Sequence, residues 1–210
     1  MSQVKKAMAF LCTLLLSGVL AIVPNSSAGA IFGSICESAT ECISLGNNKY
    51  HSVQTDGSFG SNNTYDVPNM WYAVRDRLQY SFTDQTNVQA YFDQSDPYPD
   101  VRVADYDWGN TNWLGATYCP SNNTGTGGNH PDRWCRGQLI KFNAYYYWVN
   151  TVMQDWTVRH HVACHELGHT LGLRHNYYVG ADGTISCMHT LLDARLLRSG
   201  EIGELNAHYP

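Results

Sequence analysis

Apolar residues recur at two spacings in this chain, and the spacing changes from segment to segment. Trp71, Val74 and Leu78 stand at i, i+3 and i+7, with Arg75, Asp76, Arg77 and Gln79 mostly on the opposite side. That spacing predicts a helix over 68–80, with Asp66 as its cap. Ile202, Leu205 and Tyr209 repeat it and predict a last helix over 199–208. A further helix is expected over 157–171, capped by Asp155 or Thr157. Alternation every second residue predicts strands over 87–93 and 101–107, the latter with Val101, Val103 and Asp105 on one face. Residues 50–56 and 113–119 are shorter strand candidates, and 138–147 is a strong one, rich in Leu, Ile, Phe and Tyr. Gly, Ser and Asn crowd 57–64, and Gly and Asn crowd 120–131, so both read as loops. The order is strand, helix, several strands, helix, irregular segment, helix. It predicts an α+β domain with a sheet packed on two helices and a loop-rich C-terminal part.

The N-terminus follows another logic. Lys5 and Lys6 precede an apolar run over 7–23, broken by Thr13 and Ser17, and Ala28-Gly29-Ala30 offers a small-x-small cleavage site. Residues 1–30 are expected to be a signal peptide cut after Ala28 or Ala30. The alternative, a membrane anchor, calls for a longer clean apolar core. Residues 31–60 then form an N-terminal arm or the remnant of a short pro-segment. The 210 residues fit one domain, and no internal repeat is visible. Removing 1–30 takes away two lysines and no acids, which moves the net charge from −5 to −7. It also removes Cys12, leaving an even number of cysteines in an exported chain, the usual sign of disulfides. No basic run suggests nucleic acid, and beyond the signal no stretch is apolar enough to span a bilayer.

Chemistry concentrates in residues 165–175, His-Glu-Leu-Gly-His-Thr-Leu-Gly-Leu-Arg-His. On a helix His165 and His169 lie one turn apart, about 6 Å along the axis, so both imidazoles reach one ion. Gly172 can end the helix in the left-handed conformation and swing His175 back toward the same ion. Three imidazoles with an open position describe a catalytic zinc site; a structural site would be closed by a fourth protein ligand. Glu166 follows the first ligand, beside the metal and free to take a proton from water. The bland alternative is a polar helix whose histidines are satisfied in the core. His161 extends the stripe, but it stands about 12 Å from His169 along the axis, too far for one ion to take both. It rivals His175 only if the site slides back a turn and strands Glu166; otherwise it supports the helix near the cleft.

The run resembles the metzincin motif, His-Glu-x-x-His-x-x-Gly-x-x-His. Ser186-Cys187-Met188 stands where metzincins carry a methionine turn, so the resemblance implies that Met188 is the base of the site without binding zinc. The chain looks most like the matrixin branch or the small secreted bacterial neutral proteases, specifically over 158–190 and loosely over 66–210. The resemblance implies a zincin fold over 61–210. Its parts would be a mixed twisted sheet on two helices and a loop-rich C-terminal subdomain with the methionine turn and a terminal helix. It implies a secreted, extracellular, monomeric endopeptidase with one catalytic Zn2+ bound by His165, His169 and His175, and Glu166 as general base. An extended peptide or protein substrate would lie along the edge strand near 113–119, with a pocket beside 189–195 choosing the side chain after the cut. Four features depart from relatives. His175 stands where small secreted neutral proteases of the snapalysin type have aspartate as third ligand. Asn176 follows His175. Thr190 stands where astacin and serralysin types have tyrosine, so no tyrosine ligand is carried to this turn. No propeptide cysteine motif is visible, so no cysteine switch is expected. If the methionine turn lies under the metal helix, Cys164 and Cys187 approach and can bond; proximity suggests Cys119 with Cys135 and Cys36 with Cys42.

Other residues leave two readings each. Asp105, Asp107, Asn110 and Asn112, with Asn122, Asn123, Asn129 and Asp132, are oxygen ligands for a Ca2+ ion or solvated turn residues. Tyr145-Tyr146-Tyr147-Trp148 binds sugars or is a packed strand end. His189 borders the specificity pocket or lies on the surface. Two other functions compete with the peptidase: a secreted, non-catalytic carbohydrate- or protein-binding domain with a vestigial zinc site, and a disulfide-held structural or inhibitory protein of the cell surface. An intact Glu166 argues against loss of activity.

Overall fold

The computed structural model describes residues 35–36, 42–43, 46, 48–56, 70–120, 135, 137–148, 151–194 and 196–210. The expected signal peptide, the loop over 57–64 and the Asp66 cap lie outside them. β1 (Ile35–Cys36) and β2 (Cys42–Ile43) form a small antiparallel ladder in which Cys36 and Cys42 are register partners. β3 (Tyr50–Thr55) is followed by α1 (Trp71–Arg77), which runs on into a π-helical stretch, Leu78–Thr83. β4 (Gln89–Phe92), β5 (Val101–Tyr106), β6 (Gly115–Tyr118) and β7 (Gln138–Asn143) come next. Then follow α2 (Tyr145–Trp148), a 3-10 turn at Val152–Gln154, α3 (Trp156–Thr170) and α4 (Ser199–His208).

The main sheet has the order β4-β3-β5-β7-β6. Neighbours are parallel except β6, which runs antiparallel to β7 along one edge. This is the mixed sheet of the expected α+β, zincin-like class. Val53, Val101, Val103, Ile140 and Phe142 of the strands are fully buried, as parallel strands covered by helices must be. Met70, Val74, Leu78 and Phe82 meet them from α1 and its extension; Ala163, Leu167 and Leu171 do so from α3. Helix α3 packs against α1 and also against β6 and β7, which sets it under the edge of the sheet. β2 lies beside β6.

Two expectations need correction. The helix expected to stop at residue 80 continues to Thr83, because Phe82 extends the buried stripe and the widened turn keeps it inward. The strand expected over 138–147 stops at Asn143. The Asn143 side chain accepts from Trp108 N and Tyr145 N and donates to Gly109 O and Thr111 Oγ1, so the chain turns there. The tyrosine run is therefore a short helix. Tyr146 and Tyr147 are buried, and Tyr147 Oη donates to Asp105 Oδ2 at 3.2 Å. Asp105 Oδ2 also accepts from Met70 N, and burial pushes its carboxyl up to about 7. That carboxyl joins α2 to the start of α1 inside the core and does not face solvent as a calcium ligand. Asp107 accepts from Gly109 N in a turn; residues 122, 123, 129 and 132 are outside the described chain.

His51 on β3 is buried against α3. Its Nε2–H donates to Thr170 Oγ1 at 2.8 Å, while Thr170 passes its own proton to Leu167 O. Among the described residues Nδ1 has no hydrogen-bond partner. Burial, partly opposed by the charge of Asp100, drops its pKa from 6.5 to about 4. A depressed native pKa gives stability that is present above 6.5 and lost as pH falls toward 4. The loss expected from this ring is roughly 3 kcal/mol. Urea midpoints compared at pH 7 and pH 4.5 should show a smaller drop in His51→Gln than in the parent; equal drops would exclude His51 as the source.

Candidate metal centre

The helix that carries the histidines begins at Asp155, whose side chain accepts from Thr157 N at 2.6 Å and Val158 N at 3.3 Å. These amides at the helix N-terminus hold its carboxyl below the ordinary range. At the other end Leu171 N and Leu173 N both donate to Gly168 O, and Gly172 N donates to His169 O. Gly172 takes φ +92°, where a side chain would be strained. The chain doubles back there, and His175 returns to the rings of His165 and His169.

The result is a triangle of imidazoles. Ring centroids lie 4.6 Å apart for His165–His169 and 5.0 Å for each of the pairs with His175. One ring nitrogen from each of the three lies within 4.8 Å of the others. Among the described residues this is the one group of His, Cys, Asp and Glu side chains placed to hold a metal ion. The donor set also suits an ion chemically. His165 Nδ1–H donates to Cys187 O at 2.8 Å and His169 Nδ1–H to Leu173 O at 2.7 Å, so the Nε2 lone pair of each ring is kept for a ligand. Burial, then the neighbouring rings, holds His165 well below its ordinary pKa and His169 at about 4. Both are neutral at pH 7, the form that binds zinc. His175 Nδ1 is approached by Tyr177 Oη at 3.5 Å.

Beneath the helix, residues 186–189 form a tight turn closed by His189 N donating to Ser186 O. Met188 is fully buried, and its Sδ presses on Gly168, where a Cβ would collide with it. Met188 O accepts from Asn176 N, which ties the turn to the residue after His175. Ser186 Oγ and Asn176 Nδ2 both donate to the carboxylate of Glu201 on α4, as does Arg198 N. Cys164 is bonded to Cys187, with Cα atoms 5.8 Å apart, and Cys119 is bonded to Cys135. The Cys36 and Cys42 side chains are outside the described parts.

Glu166 points to the other side, toward the sheet edge, and is nearly buried. Thr117 Oγ1 donates to its Oε2 at 2.7 Å. Neither Thr117 nor Gly115, whose backbone underlies the Glu166 side chain, stands out in the sequence. Their one local signal is the two-residue spacing within β6. A cavity of about 400 Å³ opens here, walled by residues 112–117 on one side and by α3, His189, Thr190 and Leu192 on the other. His161 is in that wall. Its Nδ1–H donates to Ala194 O at 2.7 Å, so it supports the 189–194 loop and is not part of the triangle. His160 bridges Trp156 O and Asp76 of α1.

Residues 115–193, from β6 to the loop after the methionine turn, match a family model described as Peptidase_M57, dual-action HEIGH metallo-peptidase. The matched segment carries the imidazole triangle, Glu166 and Met188, and the match supports a zinc metallopeptidase. The match favours a metallopeptidase over the non-catalytic binding domain and the structural protein. Comparison with curated proteins gives no match. Two solved structures of myroilysin are similar at a TM-score of 0.45 and 16% identity, each over 80% of this chain. They are covered over 96% and 86% of their own lengths.

Proposed function

We propose that the chain is a secreted, matrixin-like zinc endopeptidase in which His165, His169 and His175 hold one ion and Glu166 is the general base. The observation that carries this reading is the convergence of three imidazoles beside a buried glutamate at the wall of an open cleft. Bound zinc would supply Lewis-acid chemistry, polarising the scissile carbonyl and making water a nucleophile near neutral pH. Glu166 takes the proton of the attacking water as its oxygen joins the carbonyl carbon. It then gives that proton to the amine as the C–N bond breaks.

An extended peptide would align with β6 by backbone pairing, since β6 ends the main sheet. The side chain after the cut would enter the space between Val162, Leu192 and Thr190. We place the catalytic unit at 61–210, behind a signal over 1–30; β2 beside β6 favours a pro-segment for 31–60. Two disulfides fit an oxidising, extracellular setting. No helix among the described residues is long and apolar enough to cross a membrane. A peptide-library digest of the mature protein should show cleavage that stops when a chelator removes one equivalent of zinc and returns when zinc is restored. Full cleavage by metal-free protein would exclude the proposal.

A further inference from the structure

We infer that Thr117, with Gly115 beneath it, is the positioning residue that fixes the Glu166 carboxylate; this rests on reading Glu166 as the base. Gly115 and Thr117 are two apart on β6, so both face α3. Thr117 Oγ1 lies 2.7 Å from Glu166 Oε2 and 3.1 Å from Glu166 O. A hydroxyl has one proton to donate, and the nearer, charged acceptor takes it. The two side chains are 8% and 6% exposed, so little water competes for the bond. The donor is itself held. Thr is stiff at χ1, and its backbone is registered opposite Ile140 of β7.

Gly115 completes the device. A Cβ there would stand 2.7 Å from Glu166 Cγ, 2.8 Å from Oε1 and 3.0 Å from Cδ. The glutamate therefore lies on bare backbone, with one oxygen tethered two residues along the same strand. A free glutamate has three rotatable torsions and would spend part of its time turned away from a substrate amine. Shelf and tether remove that freedom before substrate arrives, which is the form in which orientation lowers a barrier. The same strand that is proposed to align the peptide thus sets the base against it.

Thr117→Val keeps the shape and removes the proton donor. In the mature, zinc-loaded enzyme it should lower kcat about 10- to 100-fold, the scale on which a small misplacement acts. KM and zinc content should stay at parent values, Tm should fall by a few degrees for the loss of one buried hydrogen bond, and Thr117→Ser should recover most of the lost kcat. Gly115→Ala gives a second route, because the atoms it meets are the movable end of Glu166 and the fold can tolerate it. It too should lower kcat, and it decides the matter if Thr117→Val does not fold. Parent-level kcat in Thr117→Val or in Gly115→Ala, beside an inactive Glu166→Gln, would overturn the positioning role. So would a loss that Ser does not restore. Parent-level kcat in Glu166→Gln would instead overturn the base assignment itself.

Discussion

Glu166→Gln is expected to give a folded, zinc-loaded protein whose kcat is about 10²- to 10⁴-fold below the parent, the usual worth of a general base. The substitution keeps the length and volume of the side chain. The amide oxygen of Gln can still accept from Thr117 Oγ1, so the contact with β6 survives. The histidines do not lean on Glu166: His165 is oriented by Cys187 O and His169 by Leu173 O. Metal content and Tm should therefore be unchanged. What disappears is an oxygen able to receive a proton from water and return it to the leaving amine. Saturating kinetics on a fluorogenic peptide, with zinc measured on the same sample, separates this loss from a loss of metal. A Gln variant that turns over within a few-fold of the parent would leave the chain's proton chemistry without an owner.

The triangle of imidazoles was legible in the sequence because its causes are local. Two histidines four apart meet on any helix, and Gly172 needs only its own φ to bring His175 back. The cap at Asp155 and the bounds of α4 follow equally from short-range signals. The misses have long-range causes. Aromatic residues at 145–148 suit a strand, yet Asn143 bonds to a loop about 35 residues earlier and turns the chain away from the sheet. Phe82 falls on the buried side only because α1 widens at its end. Thr117 stands 49 residues from Glu166, and nothing in either segment announces the other. The Glu201 hub gathers Ser186 and Asn176 from 15 and 25 residues away. A charge with that many partners reads in the sequence only as the third residue of a helix.

Removing the Cys164–Cys187 bond, as Cys164→Ala with Cys187→Ala, should lower stability by about 3 kcal/mol, from the entropy of a loop of this length. The bond closes a separation of 23 residues that contains Gly172, His175 and Ser186. For a chain of this size the corresponding fall in Tm is roughly 10 °C. The site should suffer beyond that. Cys187 acts on His165 twice: its sulfur is tied to the preceding residue, and its carbonyl accepts from the ring at 2.8 Å. Once the bond is gone, the carbonyl is held only by the turn around Met188 and by Cys187 N donating to Leu196 O. A loosened outer partner of a metal-binding histidine costs about 10- to 100-fold in affinity. Calorimetry in the presence of chelator isolates the stability term, and competition with a zinc indicator isolates the affinity term. An unchanged zinc Kd alongside a lowered Tm would mean that the bond braces the fold while the turn alone aims His165. Unchanged values of both would remove the disulfide from the account of the site.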